Sequence, residues 1–201
     1  DDVYVATCDL IIKDYIQSIG GKAIMTSPNH QRASDRTAEA LILIEKELDI
    51  KLEIVAMVQG DEPMLDGKMI DASVRPLIDD TSIMVTNLMT EIQDGEEFKD
   101  VNEIKVVFDD NYDAIYFSRS PIPSFNHSNY NGFEAYKQVC AITFRRDFLL
   151  KFNNWPESKL EQYESVDMLR IIDNQEKVRM VLSDRKTYSV DTKEDLKKVE
   201  L

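Results

Sequence analysis

Apolar positions along the chain recur in two alternating rhythms. Val3–Thr7 is a short run of β-branched and aromatic side chains, which predicts a strand. Ile12, Tyr15, Ile16 and Ile19 follow at spacings of three and four, predicting an amphipathic helix over Asp9–Ile19 that Gly20-Gly21 stops. Ala23–Met25 predicts a second strand, and Thr26–His30 a loop with Ser-Pro-Asn turn chemistry. Ala38, Leu41, Ile42 and Glu45 set the register of a helix over Ser34–Leu48. Leu52–Val58 then reads as a buried strand that runs straight into Gln59-Gly60-Asp61-Glu62-Pro63. A helix at Met69–Leu77 and a strand at Ser82–Leu88 continue the alternation.

Strand, helix, strand, helix, strand is the order that right-handed parallel crossovers produce, hence an α/β sheet. Ligands of such sheets sit beyond the carboxyl ends of the strands, and Gln59–Pro63 occupies one. The middle of the chain differs. Ile104–Asp109 and Ala114–Ser118 predict a β-hairpin, and the Asn- and Ser-rich stretch Ser124–Gly132 a loop. Gln138–Phe144 predicts a strand, Lys159–Ile172 a mainly helical stretch, Arg179–Ser183 and Tyr188–Val190 short strands, and Thr192–Val199 a closing helix. The expectation is one domain over 1–201: a mixed, mostly parallel sheet flanked by helices, with an inserted β region at about 104–145.

Composition narrows the function classes. The chain has 201 residues, 43% of them apolar, enough for a sizeable core and against disorder. Its 24 basic and 38 acidic residues give a net charge of −14, which disfavours a nucleic-acid polymer as partner. No apolar run approaches the roughly 20 residues of a spanning helix, so no membrane insertion is expected. Two cysteines make no disulfide framework, and a cytoplasmic protein is the default. Because the chain opens without methionine inside an apolar run, it reads as a fragment with its N-terminus upstream.

Two acids stand out. Asp61 follows an apolar strand, as a turn residue facing water or as a hard oxygen ligand for Mg²⁺ beside nucleotide phosphates. Asp191 sits just before Thr192, whose spacing to Asp195 is that of a capping box; Asp191 itself has no capping duty and is a second candidate ligand. Arg32, Arg36, Lys105 and Arg119 are surface charges or phosphate ligands. His30 and His127 lack partners at zinc spacing, and no Walker loop, dinucleotide fingerprint or nucleophile elbow is present.

Taken together, Val5-Ala6-Thr7, Met25-Thr26-Ser27-Pro28-Asn29-His30-Gln31 leading to Ser34-Asp35-Arg36, Val58-Gln59-Gly60-Asp61-Glu62-Pro63, Ile104–Asp109, Ile115–Arg119, Pro121-Ile122-Pro123 and Val190–Leu196 resemble the 3-deoxy-manno-octulosonate (Kdo) cytidylyltransferases. The resemblance implies a nucleotide-diphospho-sugar transferase-like fold. It implies transfer of CMP from CTP to an acidic eight-carbon sugar for lipopolysaccharide or other surface glycans, with pyrophosphate leaving. It implies Mg²⁺ on Asp61 and Asp191, nucleotide contacts from Arg32, Ala33, Ser34, Arg36 and Gln59, and sugar contacts from Arg119, Gln138 and Asp167. A homodimer is the family's common state. The family's opening strand and Gly-rich loop have no counterpart in the chain. Gln138 stands where the family has His, Ile142 where it has Tyr, and Asp167-Met168 where it has Glu-Gln. A sialic-acid-like sugar, or a non-catalytic nucleotide-binding relative, are the alternatives.

Overall fold

The computed structural model describes residues 2–124, 134–190 and 192–200. Asp191 and almost all of the predicted loop at 124–132 therefore lie outside the described residues. The first strand, β1 (Tyr4–Thr7), leads through α1 (Leu10–Ser18) to β2 (Lys22–Met25), which pairs with it in parallel. Asp9 caps α1 by accepting the Ile11 N–H at 2.7 Å. Most of the predicted apolar stripe of α1 faces outward in this structure: Ile12, Tyr15 and Ile19 are exposed, Ile16 is half-buried, and none of the helix is fully buried.

Next come α2 (Ala33–Leu48), β3 (Ile54–Val58), α3 (Gly67–Asp79), β4 (Val85–Glu91), the short α4 (Gly95–Lys99) and the hairpin β5 (Lys105–Phe108) and β6 (Ala114–Ser118). The chain closes with β7 (Tyr136–Arg145), α5 (Arg146–Asn153), α6 (Lys159–Glu164), α7 (Met168–Asp173), β8 (Arg179–Leu182) and α8 (Lys193–Val199). The predicted helical stretch Lys159–Ile172 is two helices, because Ser165 adopts a left-handed conformation (φ 54°) that ends α6. Tyr188–Val190 is not a strand. Thr192 and Asp195 form the predicted capping box.

The large sheet is organised around β7, the longest strand. One edge of β7 pairs antiparallel with β4, which pairs in parallel with β8. The other edge is divided: β5 takes Tyr136 and Lys137, and β3 takes Ala141–Arg145. Every neighbour of β7 runs against it, so β3, β4, β5 and β8 share one direction while β7 and β6 oppose them. The sheet is thus mixed as expected but not mostly parallel: four of its five ladders are antiparallel, because β7 runs against each strand it pairs with and β6 against β5.

Alternation along β7 separates two packing faces, as a pleated strand requires. Ile142 and Phe144 join Met57, Phe117, Leu149, Phe152, Met168 and Leu169 in the main core. Val139 and Ala141 pack with Met69 and Leu88 beneath α3. There the Ser73 and Thr143 hydroxyls pair at 2.7 Å, so that neither is left buried without a partner. Both faces of β4 are covered, which is why it is buried from Val85 to Thr90.

Candidate active site

Between its β5 and β3 ladders the edge of β7 has no strand neighbour, and there the sheet forks. Gln138 N–H reaches the Ile104 carbonyl at 2.8 Å, and the Cys140 carbonyl accepts the Gln59 N–H at 3.1 Å. Cys140 N–H is taken by a side chain instead, Glu62 Oε1, at 2.8 Å. A cavity of about 380 Å³ opens at this fork. The segment after β3 supplies Gln59, Asp61 and Glu62, β7 supplies Lys137, Gln138, Cys140 and Ile142, and the approach to β5 supplies Asn102–Ile104. Gln31–Ala33, Arg119, Ser165–Asp167, Thr187 and Ser189 complete the wall.

Most of the residues singled out in the sequence converge here. Arg32, Ala33, Gln59, Asp61, Arg119, Gln138 and Asp167 all line the cavity. Val190 N–H donates to the Asp61 carbonyl at 2.8 Å, so the residue immediately before Asp191 is bonded to Asp61 across 129 positions of chain (190 minus 61). The carboxylate of Asp61, with that of Glu62 beside it, is a hard-oxygen donor set of the kind Mg²⁺ takes. Among the described residues, no group of three or more His, Cys, Asp or Glu side chains is placed to hold a metal.

Two of the expected nucleotide contacts are placed otherwise. Ser34 is fully buried, and its hydroxyl donates to Asp167 Oδ2 at 2.8 Å. Arg36 lies outside the cavity wall; its Nη1 donates to Thr26 Oγ1 at 2.6 Å and to the Ser27 carbonyl at 3.3 Å, holding the loop after β2. Arg32 Nη1 donates to Ser165 Oγ at 3.1 Å, and its Nε lies 3.7 Å from Glu161. Glu161 is itself buried and bound in two places by Arg170, at 2.7 and 2.5 Å.

Several groups of the wall were not legible as site residues. The Lys137 side chain is only 3% exposed, and its Nζ pairs with Glu97 at 2.7 Å and Glu103 at 3.0 Å. It also donates to the Thr187 carbonyl at 3.2 Å, tying the segment before Asp191 to the sheet. Burial opposes its charge, yet Glu103 and Glu97 together hold its pKa above the usual lysine range. Two acids share this one cation, and burial still pushes the Glu103 carboxyl up. Glu62 is raised to about 7, first by burial and then by the charge of Asp61, with the Cys140 N–H offsetting part. Burial also raises Asp167, against the hydrogen bond from Ser34. Glu62 stood inside the Gln59–Pro63 motif and its adjacency to Asp61 was the available signal; for Lys137 the sequence carries none.

A cavity at the carboxyl end of β3, lined by acids, amides and guanidinium groups in a mixed α/β sheet, is the architecture of a nucleotidyltransferase. The family model for cytidylyltransferases matches residues 1–180. The 3-deoxy-manno-octulosonate cytidylyltransferase of Syntrophotalea carbinolica is 38% identical, covering 100% of this chain and 80% of its own length. That of Geotalea uraniireducens is 37% identical, over 98% and 80%. The solved structure of a CMP:2-keto-3-deoxy-manno-octonic acid synthetase complexed with CTP superposes with a TM-score of 0.85 at 34% identity, over 99% of this chain and 79% of that one. A glucose-1-phosphate thymidylyltransferase structure from Bacillus anthracis shares the fold alone, at TM-score 0.57 and 11% identity. The chain belongs to the 3-deoxy-manno-octulosonate cytidylyltransferase family, and it is a nucleotidyltransferase.

Proposed function

We propose that the cavity at the β7 fork joins CMP, from CTP, to the anomeric hydroxyl of Kdo or a close acidic relative. The hydroxyl oxygen forms a bond to the α-phosphorus, the bond from that phosphorus to the pyrophosphate oxygen breaks, and the hydroxyl proton is lost. Such a displacement asks for alignment and charge neutralisation rather than a covalent nucleophile. The observation that carries the reading is the convergence of Gln59, Asp61, Arg119, Gln138 and Asp167 on one cavity from four separate segments.

In this reading Gln59, Arg32 and Ala33 lie on the nucleotide side, and Arg119, Gln138 and Asp167 meet the sugar acid. Ser34 and Arg36 shape that site from behind, the first through Asp167 and the second through the Thr26–Ser27 loop. Asp61 and Asp191 hold Mg²⁺, supported by the bond between Val190 and Asp61. When bound, the ion supplies charge neutralisation on the phosphate oxygens. Gln138 is oriented from below: its Nε2 donates to Asn87 Oδ1 at 2.5 Å, and Asn87 Nδ2 donates to the Val139 carbonyl at 2.8 Å. Met168 is fully buried in the core, so it offers the sugar nothing, and Ile142 presents an apolar wall. That wall favours a second reading of the acceptor, a sialic-acid-like sugar in place of Kdo. The product feeds lipopolysaccharide or other surface-glycan synthesis in the cytoplasm, and the working unit is a homodimer through the β5–β6 hairpin, where Tyr112 and Ile115 are exposed.

The test is pyrophosphate release from CTP and Mg²⁺ with a panel of acidic sugars, in a chain that includes any residues preceding Asp1. Asp61→Asn is expected to lower kcat by at least about 100-fold, the scale on which a preorganised electrostatic group acts. Wild-type turnover by Asp61→Asn would overturn the metal assignment. CTP binding without turnover on any sugar would favour a non-catalytic relative.

A further inference from the structure

The geometry points to Glu164 as a positioning residue that aims Arg119 into the sugar end of the cavity. The inference rests on the reading of the site above. Glu164 is the last residue of α6, and four hydrogen bonds converge on it. Its Oε1 accepts from Tyr116 Oη at 3.2 Å and from Ser118 Oγ at 2.9 Å. Its Oε2 accepts the Arg119 N–H at 2.8 Å, and its carbonyl accepts Arg119 Nε–H at 2.7 Å. One residue therefore grips the end of β6 at both the main chain and the guanidinium. Burial and the Glu164 charge both raise the Tyr116 pKa, which keeps the phenol a donor.

A second anchor fixes the rotation of the guanidinium. Arg119 Nη1 donates to the Val101 carbonyl at 2.9 Å, in the segment that precedes β5. Two carbonyls from different segments thus take Nε and Nη1. Among the described residues Nη2 has no hydrogen-bond partner, while Arg119 lines the cavity. A planar fork with Nε and Nη1 each tied to a carbonyl, on a residue that lines the cavity, suits an anionic oxygen of the substrate with the N–H groups that remain. Glu164 also sets the start of the next segment, since Ser165 turns left-handed immediately after it and leads to Asp167. A plain structural tie between α6 and the hairpin would explain the bonds to Tyr116 and Ser118. The Glu164 carbonyl, as a free acceptor at the end of α6, takes Nε whatever the side chain; what the carboxylate adds is the Arg119 N–H, which fixes the main chain from which the guanidinium extends.

The test separates these roles by which Michaelis constant moves. Glu164→Gln removes the charge and leaves one acceptor oxygen in place of two, so the Arg119 N–H must compete with Tyr116 and Ser118 for it. The KM for the acid sugar is expected to rise about tenfold, with the KM for CTP and the melting temperature little changed; Glu164→Ala should reach roughly 100-fold, the scale of an ångström-level misplacement. Tyr116→Phe with Ser118→Ala, which keeps both Arg119 contacts, should leave the sugar KM within about twofold. In an Arg119→Ala background, Glu164→Gln should add nothing, because residues that act through one another are not additive. If Arg119→Ala itself leaves the sugar KM unchanged, the reading of the site fails. If Arg119→Ala raises it but Glu164→Gln does not, or if the two effects add in full, the positioning role of Glu164 is wrong.

Discussion

Replacing Lys137 with methionine removes the buried cation shared by two half-buried carboxylates while keeping a chain of similar volume. Glu97 and Glu103 are 12% and 17% exposed at the side chain, and both lie within 3.0 Å of Nζ. Breaking a buried ion pair by deleting one partner costs about 3–5 kcal/mol, most of it the desolvation of the charge left behind. For a chain of this size that corresponds to a melting temperature lower by roughly 6–20 °C at pH 7. Acidity should reverse part of the loss. Glu103 already has its pKa raised above the ordinary 4.5 by burial, and losing Lys137 raises it further. An acid raised in the folded state contributes stability that is present below its unfolded pKa and lost as pH rises through its folded one. The gap between wild type and variant should therefore be small near pH 4.5 and widen towards neutrality. Differential scanning calorimetry from pH 4.5 to 8 measures both features. Adding Glu97→Gln and Glu103→Gln to the variant should recover stability and flatten its pH dependence. A Lys137→Met loss below about 2 °C, or a gap that does not change with pH, would refute this account of the cluster.

Two smaller effects can be read on the same instruments. Asp66→Ala removes the cap that accepts Met69 N–H at 3.0 Å, together with the ion pair to Arg185, and should lower the melting temperature by roughly 2–4 °C. Glu39 accepts the Ser27 N–H at 2.8 Å and pairs with His30, contacts that hold its pKa below the ordinary 4.5. Its contribution is present above that value and lost as pH falls through the folded one, so Glu39→Gln should make the acid limb of a circular-dichroism titration shallower.

Local rules carried the element order a long way. The spacing of Ala38 and Leu41, the Gly20-Gly21 stop and the Thr192–Asp195 capping box each act over one or two turns, and each has its counterpart in the structure. Ser82–Leu88 was the right strand placed early: β4 begins at Val85, after a turn in which Asp80 Oδ1 takes the Ser82 N–H at 2.8 Å. The short α4 and the helix α5 went unread, since five and eight residues show little periodicity. Gln59 and Asp61 were legible because the end of an apolar strand is a recognisable place in an α/β chain.

Pairing across the chain was not legible in the same way. Nothing near Gln138 or Cys140 tells that β7 separates β3 from β4, or that its free edge between two ladders opens a cavity. Nor does the local pattern turn Ser34 inward to Asp167, or bring Glu97 and Glu103 to one lysine. Periodicity, caps and turn residues follow from interactions among near neighbours, so the sequence by itself determined most of the longer elements, the family and the acid at the end of β3. Partners 34 to 133 residues apart are chosen by burying apolar surface and satisfying buried charge over the whole molecule. Only the tertiary structure therefore decided which polar groups share the cavity, which stand behind it, and which hold the others in place.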